Sequence, residues 1–257
     1  MSVIQDYHES RTLVIEEACT IEEWNAEWPK IGFELELEVV SDDRGSVAER
    51  ILDIIRRNSW SDYVYAEHDG SLNYGFELVT APARLSRHLE IWRESLQAEE
   101  FRIFTAAKSS CGLHTHLDKK HMSDAHKNAF SVFFNRKGNS SLIKHIAGRY
   151  GAEACDVDHE KSAWTGQDKR HEIVNWYPGS TVEVRAYSST RIFNRLSYRL
   201  EFSHAAYHFT KRHGSLDANS FIKWVDNQLV SPENITLYNQ GRKYPNLLVK
   251  LGTLVCV

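Results

Sequence analysis

From Gly32 to Val40 the sequence GFELELEVV alternates apolar and acidic residues without a break. Phe33, Leu35, Leu37 and Val39 fall on one side of a two-residue repeat, and Glu34, Glu36 and Glu38 on the other. That period predicts a β-strand with one buried face. Downstream, Ser46-Val-Ala-Glu49 reads as a helix-capping box, and Val47, Ile51, Ile54 and Ile55 continue as a helical apolar stripe to about Asn58. Asp62–Glu67 and Asn73–Thr80 read as two strands joined through the turn His68-Asp69-Gly70-Ser71. Leu85, Leu89, Trp92 and Leu96 mark a second helix. Cys111–Asp118 reads as another strand, and Ser123 opens a helix carrying Phe130, Phe133 and Phe134.

Ser140–Ala147 predicts a shorter helix, and residues 148–170 have no clear period. A stretch of that length without its own structure is usually functional or disordered. Two strands, Glu172–Tyr177 and Thr181–Tyr187, meet around Pro178-Gly179. A long helix with Ile192, Leu196, Leu200 and Tyr207 on one side follows, then a helical region with Phe221, Trp224, Val225 and Leu229. Ser231-Pro232-Glu233 is a helix-start pattern with proline at the first helical position. Residues 1–30 are acidic, with Trp24 and Trp28 near their end, and are expected to form an arm or edge element. Residues 31–257 are expected to form a single domain.

Composition excludes more than it selects. The net charge of −4 gives no overall pull toward nucleic acid or an anionic membrane. No apolar run is long enough to span a bilayer and the N-terminus has no apolar signal core, so a cytoplasmic protein is expected. The four cysteines, Cys19, Cys111, Cys155 and Cys256, are scattered, with no CxxC pair for a zinc ribbon or a thioredoxin-like motif. None has an obvious activating partner.

The polar faces of the strands carry the candidate chemistry. On one strand His114, His116 and Asp118 alternate with Leu113, Thr115 and Leu117, which places the two imidazoles about 6–7 Å apart on one face. On another, Glu183 and Arg185 share a face opposite Val182, Val184 and Ala186. Glu77 opposes Phe76 and Leu78, and Asp69 and Ser71 sit in the preceding turn. Each has an ordinary explanation: a solvated outer face for Glu34, Glu36 and Glu38, a structural histidine, an exposed ion pair of little worth, a turn that favours Asp, Gly and Ser. Together they offer carboxylates for Mg²⁺ or Mn²⁺ and cationic groups for phosphate. There is no Walker A sequence and no GxGxxG, so a nucleotide here would lie on a sheet of carboxylates.

Taken in order, GFELE, DGSLNYGFELVTAP, CGLHTHLD and NWYPGSTVEVRAY resemble the amidoligase family, relatives of glutamate–cysteine ligases and glutamine synthetases. The match runs from Gly32 to about Ala206. The resemblance implies an α+β fold: an antiparallel, partly barrel-like sheet with helices on its outer face. It implies ATP- and Mg²⁺- (or Mn²⁺-) dependent joining of a small-molecule or peptide carboxylate to an amine through an acyl phosphate. By position, Glu34, Glu36, Glu77 and Glu183 resemble the metal carboxylates, with His116 a further metal ligand. His114 or His116 resembles the histidine near metal or nucleotide, and Asp69 and Ser71 match the family's DxS turn on the cofactor side. Arg185 resembles the phosphate-contacting arginine, which gives Glu183 and Arg185 the catalytic roles, with Arg149 a further candidate. Arg170 and Asn175 lie nearby in sequence, and Glu38 has no place in the pattern. The alternatives are a metal-dependent hydrolase using the same ligands and a non-catalytic, metal-stabilised binding module.

Overall fold

The computed structural model describes residues 3–6, 28–40, 43–60, 62–151, 155–159, 171–212, 214–229 and 241–255. The Ser231-Pro232-Glu233 helix start, Arg170, Trp24, Cys19, Cys256 and most of the 148–170 stretch lie outside them. The strands pair mostly antiparallel and are combined with helices, an α+β arrangement. The chain divides into two compact units. One runs up to His116 and includes Ser188–Leu196; the other comprises Leu117–Tyr187 and the chain from Ser197 on.

In the first unit the strand order is β1 (Ile4–Gln5), β3 (Val64–Glu67), β4 (Gly75–Thr80), β2 (Ile31–Val39) and β6 (Gly112–Asp118), with β5 (Thr105–Ala106) also paired to β2. β1 runs parallel to β3, whereas β3–β4, β4–β2 and β2–β5 are antiparallel. The register sets Leu35 opposite Leu78 and Leu37 opposite Phe76, so the apolar residues of adjacent strands fall on one face. Among the described residues, three helices belong to this unit: α1 (Arg44–Arg57), α2 (Leu85–Ser95) and α3 (Glu99–Phe104). Phe33 packs its ring on His88 and Trp92 of α2, which places that helix on the apolar face.

A buried polar relay ties the helix to the strand. The Trp92 indole N–H donates to Tyr63 Oη at 2.7 Å, Tyr63 Oη lies 2.6 Å from His88 Nδ1, and His88 Nε2 lies 2.5 Å from the Ile31 carbonyl. A carbonyl only accepts, so His88 carries its proton on Nε2 and Tyr63 donates to Nδ1.

The start of α1 differs from the capping-box reading. Asp43, not Ser46, is the N-cap: its carboxylate accepts from the Ser46 N–H at 2.9 Å. Ser46 stands where the box would place its glutamate, and an ionised cap is the stronger acceptor for the first-turn amides. Two short elements, α3 and β5, have too few residues to show a period.

The second unit contains α4 (Asp124–Asn135), capped by Ser123 as the sequence predicts, and α5 (Ser140–Ala147). It also contains the hairpin of β7 (Val174–Asn175) and β8 (Thr181–Ser188). The helix α6 (Phe193–Arg212) continues into it, followed by α7 (Ala218–Asp226) and α8 (Pro245–Val255). From Ser197 to Thr210, α6 is buried on nearly every side, as expected of a central helix rather than a surface one. Phe202 and Phe209 of α6 stack with Phe133 of α4 and Phe221 of α7.

At the same level Glu201, with no exposed surface, accepts from Asn246 Nδ2 at 2.5 Å and from the Leu247 N–H at 2.7 Å. It thereby satisfies two donors in the first turn of α8 from the side of α6. Burial pushes its carboxyl up to about 8, against the pull of those hydrogen bonds. Both described cysteines, Cys111 and Cys155, are free thiols and buried. Among the described residues, no helix is long and apolar enough to cross a membrane.

Candidate metal centre

The alternation in β2 that sends the leucines to the helices sends Glu34, Glu36 and Glu38 to the opposite face. Antiparallel pairing then places Glu36 directly across from Glu77 on β4, and Glu77 directly across from Glu67 on β3. Glu36, Glu67 and Glu77 are all nearly inaccessible to solvent. Directly opposed like charges are unfavourable in a sheet and more so when buried. Asp69, from the β3–β4 turn, joins them: Glu36, Asp69 and Glu77 each offer an oxygen, and these atoms all lie within 4.8 Å of one another. Burial, then the charges of Glu34, Asp69, Glu36 and Glu67, hold the Glu77 carboxyl well above the ordinary carboxylate range. Four carboxylates thus press on Glu77. Hard oxygen donors gathered in that way fit Mg²⁺ or Mn²⁺.

β6 lies on the other side of β2 and brings in the HxH pair. His114 Nδ1 is 3.1 Å from Glu34 Oε2, His116 Nε2 is 3.0 Å from Glu34 Oε1, and His114 Nε2 is 3.5 Å from Glu36 Oε1. The Gly112 N–H donates to Glu36 Oε2. Burial would raise the Glu34 carboxyl, but His116 and then His114 outweigh it and hold it well below its ordinary range. The two histidines therefore brace Glu34 as a carboxylate.

Glu38 is placed quite differently. Its two oxygens accept the N–H groups of Asn73 and Tyr74, at 2.9 and 2.8 Å, at the end of the turn that carries Asp69. It is a clasp for that turn. Next to it Gly75 has a strict steric reason: a Cβ there would lie 2.2 Å from the Leu37 carbonyl oxygen. Ser71 offers its N–H to Asp69 Oδ1 at 2.7 Å and is itself exposed, so it shapes the turn around Asp69.

The sequence reading missed Glu67 and Tyr65. Burial raises the Tyr65 phenol, and so do the charge of Glu67 and a hydrogen bond to it. A signal was available: Glu67 and Glu77 flank one hairpin, and placing them opposite one another needs only the loop length.

In the second unit Glu183 is 5% exposed and both of its oxygens are engaged. Arg185 Nη1 donates to Oε1 at 2.5 Å, and Asn175 Nδ2 donates to Oε2 at 2.6 Å across the β7–β8 register. Glu183 and Arg185 thus form a largely buried pair within one strand, not an exposed one. Arg149 follows Gly148, whose φ of 89° ends α5, and its N–H donates to the Ala186 carbonyl at 3.1 Å. This sets Arg149 beside the segment that carries Arg185. Burial raises the Cys155 thiol to about 11, although Arg149 and Arg185 both oppose that shift. A thiol held so high is no nucleophile at neutral pH.

Compared with protein-family models and with curated proteins, the sequence matches neither.

Proposed function

We propose that the protein is an ATP- and divalent-cation-dependent carboxylate–amine ligase of the amidoligase type, on a glutamine synthetase-like, partly barrel-like sheet. The observation that carries the reading is the convergence of oxygens of buried Glu36 and Glu77 and of the turn residue Asp69 within 4.8 Å, with the Glu77 carboxyl raised by burial and by the carboxylates around it. On this reading Glu36, Asp69 and Glu77 hold a divalent ion, with Glu34 a further carboxylate kept ionised by His114 and His116. The ion, when bound, neutralises phosphate charge and aligns the transferring group. In the second unit Glu183 fixes the plane of the Arg185 fork, and Arg185, with Arg149 beside its segment, is the phosphate-contacting group that the family resemblance implies. Catalysis is by positioning and charge stabilisation, without a protein nucleophile. The γ-phosphoryl group goes to the substrate carboxylate, an amine displaces phosphate from the acyl phosphate, and the products are an amide, ADP and phosphate.

The test is Glu36→Gln. Glutamine keeps an acceptor for the Gly112 N–H, so the fold persists while the charge is lost. Calorimetry is expected to show divalent-ion affinity reduced by at least about 10–100-fold, and ADP release that depends on both a carboxylate and an amine should fall with it. Unchanged ion binding in the variant removes Glu36 from the centre.

The imidazoles on Glu34 favour one second reading, a metal-dependent hydrolase, because histidine ligands suit Mn²⁺ or Zn²⁺ and an activated water. Turnover that needs metal but no nucleotide would select it.

A further inference from the structure

The turn between β7 and β8, Trp176-Tyr177-Pro178-Gly179, is anchored from several directions. The Lys119 ammonium donates to the Trp176 carbonyl at 2.9 Å and also to the Pro178 carbonyl, bracketing Tyr177. The Tyr177 N–H donates to Asn175 Oδ1 at 2.9 Å. The Trp176 side chain is buried and its indole N–H donates to Ser131 Oγ at 2.9 Å. The Lys119 N–H also donates to the Ser180 carbonyl at 3.2 Å. Holding Lys119 there has a cost: burial, and then Lys127, lower the affinity of its amine for a proton. Yet Tyr177, the residue at the centre of these anchors, is 81% exposed. Single exposed aromatics are ordinary. An aromatic whose backbone is fixed on both sides is set up to present its ring, and loses little freedom when something packs on it.

What packs on it follows from its neighbours. Asn175 holds the Tyr177 N–H with its oxygen and Glu183 with its nitrogen, so one side chain sets both the turn and the Glu183–Arg185 pair. The Arg185 N–H donates to the Ile173 carbonyl, which puts Arg185 level with a residue four positions before Tyr177. That is roughly 13 Å of extended chain. Two guanidinium groups at one end and a presented ring at the other suit a ligand with an anionic tail and a planar head.

We propose that Tyr177 is a base-stacking platform, the head end of a nucleoside polyphosphate site whose tail lies at Arg185 and Arg149. The proposal rests on the ligase reading above and adds a residue that fixes specificity for a nucleotide over a bare polyphosphate.

The experiment measures calorimetric binding of a non-hydrolysable ATP analogue with Mg²⁺ and, separately, of inorganic tripolyphosphate with Mg²⁺. Tyr177→Ala is expected to weaken the analogue by about 10- to 100-fold and to leave tripolyphosphate unchanged, while Tyr177→Trp retains the analogue. The ring is solvent-exposed, so folding is unaffected, and circular dichroism confirms it. Lys119→Met, which frees the turn, should move analogue binding in the same direction by less. Tyr177→Ala binding the analogue as tightly as the wild type overturns the platform and leaves the ligase reading standing. Wild-type protein that binds tripolyphosphate as tightly as the analogue overturns it too. Wild-type protein that binds neither overturns the ligase reading, and the platform falls with it.

Discussion

Arg185→Lys is expected to bind ATP with Mg²⁺ nearly as well as the parent and to turn over about 10²–10³ times more slowly, the usual loss when one placed donor to developing charge is removed. The reason is geometric. Arg185 spends Nη1 on Glu183 at 2.5 Å, and that bond orients the planar guanidinium. Lysine keeps the charge but is a single, rotatable ammonium, and cannot hold Glu183 and a phosphoryl group in one plane. Single-turnover measurement of ADP release separates the outcomes. A slower chemical step at unchanged affinity fits a transition-state contact. A variant as fast as the wild type leaves Arg185 as the partner of Glu183 and nothing more.

Glu201→Gln is expected to raise stability at alkaline pH by up to about 5 kcal/mol and to flatten its dependence on pH. The folded carboxyl is pushed up to about 8 by burial, from an ordinary value of 4.5. A raised carboxyl binds its proton more tightly in the folded state than in the unfolded chain. Its contribution is therefore complete below the ordinary value and is lost as pH rises through about 8. Glutamine retains an acceptor for the Leu247 N–H, and the Asn246 amide can turn to offer its oxygen. Urea unfolding between pH 5 and 9 checks this. A parallel pH dependence in wild type and variant would mean that other groups set it.

The parts legible in the sequence were those that local periodicity encodes. β2 announced itself through uninterrupted alternation, α4 through Ser123 and its phenylalanines, and the HxH pair through spacing along one strand. The parts that depend on what lies across from what were not legible. Glu34, Glu36 and Glu38 are equivalent by phase, yet one is braced by imidazoles, one joins Asp69 and Glu77, and one clasps a turn. Only the pairing partner separates them. Glu67 was overlooked because its significance lies in its register with Glu77. Glu201 sits on an all-round buried helix, where phase carries no signal and the meaning of a carboxylate lies in the start of α8, which is distant in sequence. α3 and β5 are too short to show a period, and the capping box misled because Asp43, three residues earlier, was the better acceptor.

The clasp at Glu38 sets rules for anyone who would reshape the site by grafting a different hairpin loop. Glu38 is 1% exposed and is held by the amides of residues 73 and 74. A replacement loop can vary in side chains and in its outer residues, but must deliver two amide hydrogens at its C-terminal end. Proline at either position would leave a buried carboxylate with an unmet acceptor, and a graft ending one residue early would present the wrong amides. Loop libraries for altered specificity are best confined to residues 70–72, where the backbone owes nothing to β2.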